Sequence, residues 1–94
     1  MQTVASFYGV TLADILSTQR TQTLVTPRQL AMFLARKLTT KSLPEIAKAF
    51  GKTHATVHHG TQTIQKRIDV EPDLKKSMGE IASLLGRKAS DVLE

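Results

Sequence analysis

Ninety-four residues suffice for one small domain with a single modest core. With 40% apolar and 22% charged residues the balance is globular, and no apolar run is long enough for a membrane-spanning helix or a secretory signal. Zero cysteines exclude a disulfide scaffold and every thiolate-ligated metal centre. The formal net charge of +5 and a pI near 9.9 point to an anionic partner. The distribution of charge says more than its sum. Residues 1–68 hold Arg20, Arg28, Arg36, Lys37, Lys41, Lys48, Lys52, Lys66 and Arg67 against only Asp14 and Glu45, a net of +7. Residues 69–94 hold four basic and six acidic residues, a net of −2. A basic face of this kind concentrates a polyanion and speeds its encounter, although the same charge also serves as a plain solubilising surface.

No stretch alternates apolar and polar with period two, whereas helix start signals recur. Residues 2–8 read as a short helix that buries Val4 and Phe7 or Tyr8. Thr11 stands three residues before Asp14, a hydroxyl cap and carboxylate ahead of Leu12, Ile15 and Leu16. Residues 17–26, rich in Thr and Gln and without an apolar stripe, read as an ordered loop carrying Arg20. Thr26-Pro27-Arg28-Gln29 reads as a capping box with proline at the first helical position, opening a helix to about Leu38 with Leu30, Ala31, Leu34 and Leu38 on one stripe. Ser42-Leu43-Pro44-Glu45 opens a further helix that stops at Gly51. Thr53 caps a longer helix from His54 to roughly Ile68. Pro72 and Asp73 announce a last one, with Leu74, Met78, Ile81 and Leu85 at helical spacing and Gly86 as its stop. Residues 87–94 read as a frayed or truncated end. The expectation is one all-α domain over residues 1–94, a compact bundle of about six helices.

Within it, Ala47, Gly51 and Val57, with apolar Ile46 and Phe50, have the spacing of a helix-turn-helix. The small residue lets the second helix cross closely, the glycine makes the turn and the valine anchors the second helix. Ser42-Leu43-Pro44-Glu45-Ile46-Ala47-Lys48-Ala49-Phe50-Gly51-Lys52-Thr53-His54-Ala55-Thr56-Val57-His58-His59 resembles the C-terminal DNA-binding domain of the bacterial chromosomal replication initiator, DnaA. Pro27-Arg28-Gln29-Leu30-Ala31-Met32 and Ala13-Asp14-Ile15-Leu16-Ser17 are similar to that family in the same order, and the likeness runs from Thr3 to Ile68.

The resemblance implies sequence-selective recognition of a short duplex box of the replication-origin type, in a bacterial cytoplasm at the nucleoid. Other initiator modules or regulatory proteins are further partners it implies. It assigns Arg20 to the minor groove, and Arg28 and Gln29 to the start of a helix lying against the duplex. It gives Arg36 a phosphate-gripping role and aims His54, Thr56 and His59 at the major groove. Lys48 and Lys52, cations within the helix-turn-helix, are further candidate DNA contacts, as are Thr53 and Ala55 at the start of its second helix. Thr53 and Ala55 depart from the family's usual Asp and its Ser or Thr, Gly60 stands for a usual Ala, and Thr63 for a usual Lys, Arg or Glu. Aspartate accepts from cytosine N4 and threonine bonds base edges, so duplex binding carries over better than the usual sequence preference.

Other chemistry fares poorly. Gly51-Lys52-Thr53 lacks the earlier glycine of a phosphate loop, since Ile46 stands there. His54 and His58 lie four apart, but no third ligand is evident, so neither a metal nor a cofactor is expected. With two acids in the first 68 residues and no paired carboxylates, no catalytic machinery is expected either. Phe7, Tyr8, Phe33 and Phe50 read as core rather than as base-stacking platforms. Two alternatives stay open: a helix-turn-helix regulator with a different operator, and a protein-binding adaptor.

Overall fold

The computed structural model describes residues 1–93, which form seven helices and no strand. The first, α1 (Gln2–Tyr8), buries Val4 and Ala5, while Phe7 and Tyr8 are half-buried and meet edge to face at 5.3 Å. The second, α2 (Leu12–Leu16), opens with the expected capping box. Asp14 N–H donates to Thr11 Oγ1 at 3.0 Å, and Thr11 N–H donates to Asp14 Oδ2 at 3.1 Å.

The third helix departs from expectation. α3 spans Gln22–Leu38, with Thr21 as its N-cap, so it begins one turn before Thr26-Pro27 and the loop ends at Thr21. Pro27 lies inside the helix, and no capping box forms at Thr26. Proline at the sixth helical residue forgoes only the bond to Thr23 C=O, and Thr23 is exposed, so that carbonyl stays within reach of water. In exchange Pro27 is fully buried and Leu24 joins the interior. The Thr26 hydroxyl is used elsewhere: it accepts from Gln22 Nε2 at 3.0 Å and from Arg67 Nη1 at 2.9 Å.

α4 (Leu43–Phe50) begins with the reciprocal Ser42–Glu45 capping box, at 3.3 and 3.1 Å. It ends in the left-handed conformation at Gly51, φ 64°, which a Cβ would strain. There Lys52 N–H donates to Ala47 O at 2.9 Å and Gly51 N–H to Lys48 O at 3.1 Å, so the last carbonyls are satisfied as the chain reverses. Thr53 then caps α5 (His54–Val70), its Oγ1 accepting from Thr56 N–H at 3.2 Å. α6 (Pro72–Leu84) buries Leu74, Met78, Ile81 and Ala82, whereas Leu85 falls at its C-cap and is exposed rather than part of the stripe. Where the sequence reads as a frayed end, α7 (Ser90–Leu93) adds a short turn whose Val92 is 0% exposed and packs toward α3. Residue 94 lies outside the described residues.

α3 and α5 pack along each other at the centre, with α4 and α6 against α5. The fully buried side chains Ile15, Leu30, Met32, Ile46, Ile64, Met78 and Ile81 come from five different helices. Phe33 and Phe50 are core, as expected of them. Among the described residues no buried side-chain nitrogen or oxygen lacks a hydrogen-bond partner.

Candidate nucleic-acid interface

α5 owes its orientation to a stripe at i, i+3, i+7 and i+11: Val57, Gly60, Ile64 and Ile68 are all buried. Burying each aliphatic side chain is worth about 1.5–3 kcal/mol, so turning the helix by one residue would forfeit several kcal/mol. Gly60 is the tightest point. A Cβ there would sit 3.2 Å from Met32 Sδ and 3.3 Å from Gln29 Cγ, so α3 and α5 approach closely. The opposite face of α5 is thereby committed to solvent, and Ala55, His59, Gln62 and Lys66 lie along it at i, i+4, i+7 and i+11. Lys66 and Gln62 escaped the motif-based reading; the same spacing counted outward from Ala55 would have found them.

The helix-turn-helix itself is held by Ile46, Ala47 and Phe50 of α4, all buried, with Val57 of α5 at 0% exposure. Its outward residues Lys48, Thr53, His54, Ala55, Thr56 and His59 are all exposed, as are Arg20 and Arg36. Thr53 Oγ1 and Thr56 Oγ1 lie 2.9 Å apart and share a hydrogen bond at the start of α5. Gln29 is half-buried, its stem against Gly60.

Two cations turn inward instead. Arg28 is only 7% exposed, and its guanidinium is spent on the end of α2 and the loop after it. Nε donates to Ile15 O at 2.6 Å, Nη1 to Gln19 O at 2.8 Å, and Nη2 to Asp14 O at 3.2 Å and Ser17 Oγ at 3.3 Å. Burial pulls its guanidinium below its ordinary range, yet an arginine keeps its charge at any neutral pH. Arg28, which the resemblance sets against the duplex, is thus buried here, its guanidinium turned to the backbone carbonyls within reach at the end of α2 and in the loop. Lys52 behaves likewise, half-buried with Nζ donating to Ser17 O at 3.0 Å. That bond ties the turn before α5 to the loop that carries Arg20. Arg67 pairs with Glu71 at 2.7 Å and reaches Thr26, and Lys37 Nζ sits 5.6 Å over the Phe33 ring. Among the described residues no three His, Cys, Asp or Glu side chains gather as a metal site, and no helix is long and apolar enough to cross a membrane.

An all-helical frame, a capped helix-turn-helix with its second helix turned outward, and a cationic face define a helix-turn-helix domain of the DNA-binding class. The family model described as the bacterial dnaA protein helix-turn-helix matches residues 1–64. The chain belongs to that family, the helix-turn-helix domain of the DnaA initiators. It is 45% identical over 83 residues, 87% of its length, to the chromosomal replication initiator protein DnaA of Ehrlichia ruminantium (strain Gardel), of which it covers 18%. It is 42% identical over 83 residues, again 87% of its length, to the DnaA of Enterococcus faecalis, covering 19% of that protein. To the DnaA of Bartonella quintana it is 42% identical over 88 residues, 93% of its length and 18% of that protein's. The chain thus spans about a fifth of the length of these curated relatives.

Proposed function

We propose that this domain binds duplex DNA with sequence selectivity at boxes of the replication-origin type, α5 entering the major groove and Arg20 the adjacent minor groove. One observation carries the reading. The buried stripe of α5 leaves His54, Ala55, Thr56 and His59 facing outward, and the Lys52–Ser17 bond holds the Arg20 loop against the turn from which that helix starts. A major-groove helix and a minor-groove arm then meet one duplex at a fixed separation. Arg36, Lys48 and Lys66 are exposed cations suited to phosphates, which position the domain without reading sequence.

Duplex binding measured across salt concentrations tests the proposal. With about four to six phosphates neutralised, log K falls against log salt with a slope of roughly −4 to −5. A slope near zero sinks the DNA reading and leaves the protein-binding adaptor. Selection from a random duplex pool then identifies the box; a pool that yields no consensus would remove the selectivity while leaving the binding.

A further inference from the structure

Seventeen to twenty is a short irregular segment that the fold treats with unusual care. α2 has five residues, so its last carbonyls depend on partners beyond the helix, and Asp14 O already accepts from Ser17 N–H at 3.2 Å. Arg28, from α3, takes Asp14 O, Ile15 O and Gln19 O, and also reaches Ser17 Oγ. Lys52, from the helix-turn-helix, takes Ser17 O. Ser17 Oγ donates to Asp14 O at 2.7 Å and accepts from Gln19 N–H at 3.3 Å. On the other side Thr21 O accepts from Leu24 N–H at 3.0 Å and Val25 N–H at 2.9 Å, at the first turn of α3. Arg20 is therefore an exposed residue whose backbone is pinned on both flanks, at Gln19 by Arg28 and at Thr21 by α3.

We infer that Arg28 and Lys52 are positioning residues for Arg20, an internal clamp that sets the distance from the minor-groove arm to the recognition helix. The inference rests on the DNA-binding reading above and deepens it. Two family-implied or motif-implied DNA contacts thereby become supports. Arg28, buried and held to three backbone carbonyls, is turned away from a phosphate, and Lys52 directs its half-buried ammonium to Ser17 O. Arg28 leaves from α3, which packs with α5, and Lys52 from the turn that leads into α5. Without the clamp Arg20 keeps its charge but loses its place, and a contact that depends on groove width suffers more than one that depends on charge alone.

The test is a double-mutant cycle on duplexes of one box flanked by either A·T or G·C pairs. Arg20→Ala, Lys52→Met and the double variant are measured at several salt concentrations, with thermal denaturation alongside. The expected result is that Lys52→Met lowers affinity for the A·T-flanked site several-fold, up to about tenfold, while leaving the salt slope unchanged. In the Arg20→Ala background it then has little further effect. Lys52→Arg, which retains a donor, restores the flank preference. Arg28→Lys keeps the charge but cannot reach all four acceptors, so it loses the preference as well; should it fail to fold, the Lys52 cycle decides alone. A salt slope shallower by about 0.9 in Lys52→Met would instead reveal a direct phosphate contact and overturn the inference. So would losses that add in full to those of Arg20→Ala. A wild type that binds no duplex at all overturns the DNA reading itself, and this inference with it.

Discussion

Thr53 closes the N-terminus of α5 and, on the proposed DNA-binding reading, stands where the resemblance implies an acceptor carboxylate. Its Oγ1 accepts from Thr56 N–H and shares a hydrogen bond with Thr56 Oγ1, which holds both hydroxyls near the helix start. Aspartate caps as well as threonine does, so Thr53→Asp keeps the helix while adding an acceptor for cytosine N4. Combined with Ala55→Thr, it is expected to sharpen preference for the standard box by about tenfold, one good bidentate contact being worth about 1–3 kcal/mol. The salt slope should stay as it was. Competition between the standard box and variants changed at those positions checks this, and a wild type already selective by several orders of magnitude would defeat it. Thr53→Ala behaves differently: it removes the cap and should cost about 1 kcal/mol in denaturant unfolding. His54→Ala touches neither cap nor core, since His54 is exposed, and should erode discrimination with little change in stability.

At the level of the elements, two capping boxes determine where α2 and α4 start and make the fold sensitive to acid. Thr11 holds the Asp14 carboxylate, and Ser42 the Glu45 carboxylate, below their ordinary range through hydrogen bonds to backbone and hydroxyl. Arg67 does the same for Glu71. A depressed folded value means the unfolded chain binds protons more readily, so this stabilisation is complete above the unfolded carboxylate range and disappears as pH falls through the folded values. Stability should therefore decline below about pH 4–5. Ser42→Ala should cost about 1 kcal/mol at neutral pH and flatten that acid decline, as equilibrium unfolding followed against pH would show. A decline identical to wild type would place the acid sensitivity elsewhere. Between α3 and α5, Gly60→Ala sets a helix-propensity gain of about 1 kcal/mol against a close approach. The atoms met, Met32 Sδ and Gln29 Cγ, belong to flexible side chains, so a small net stabilisation is expected, with Gln29 displaced toward solvent. A loss of more than about 1 kcal/mol would mean that the pair cannot yield.

Taken whole, the chain divides its charge unevenly along its length. The first 68 residues, which carry the Arg20 loop, α3, α4 and most of α5, have a net of +7, and the remainder a net of −2. Salt dependence should follow that division. Lys48→Ala should weaken binding to all duplexes alike and make the slope shallower by about 0.9, whereas Lys76→Ala, on α6, should leave both unchanged. Equal effects of the two would point to bulk charge in place of a shaped face. α6 and α7 serve the interior instead, through Leu74, Met78, Ile81 and Val92.

Much of this was legible along the chain because it depends on neighbours in sequence. The capping boxes at Thr11 and Ser42, the left-handed glycine after Phe50, the Thr53 cap and the apolar stripes of α4 to α6 all involve residues within a turn or two of one another. Local geometry suffices to specify them. Thr26-Pro27 carried an equally good local signal and was overruled. An extra turn before the proline buries Leu24 and Pro27 and hands the Thr26 hydroxyl to Arg67, forty-one residues away. The short helix at Ser90–Leu93 became visible only when Val92 found a place beside α3. Arg28 and Lys52 differ in one respect from the cations that stayed at the surface: what lies within their reach. Side-chain type says that a cation will seek an acceptor, and periodicity says which face it leaves from. Only the packing of α2 against α3 and the helix-turn-helix decides that the nearest acceptors are carbonyls at the end of α2 and just after it, thirteen residues back from Arg28 and thirty-five from Lys52, in place of a phosphate.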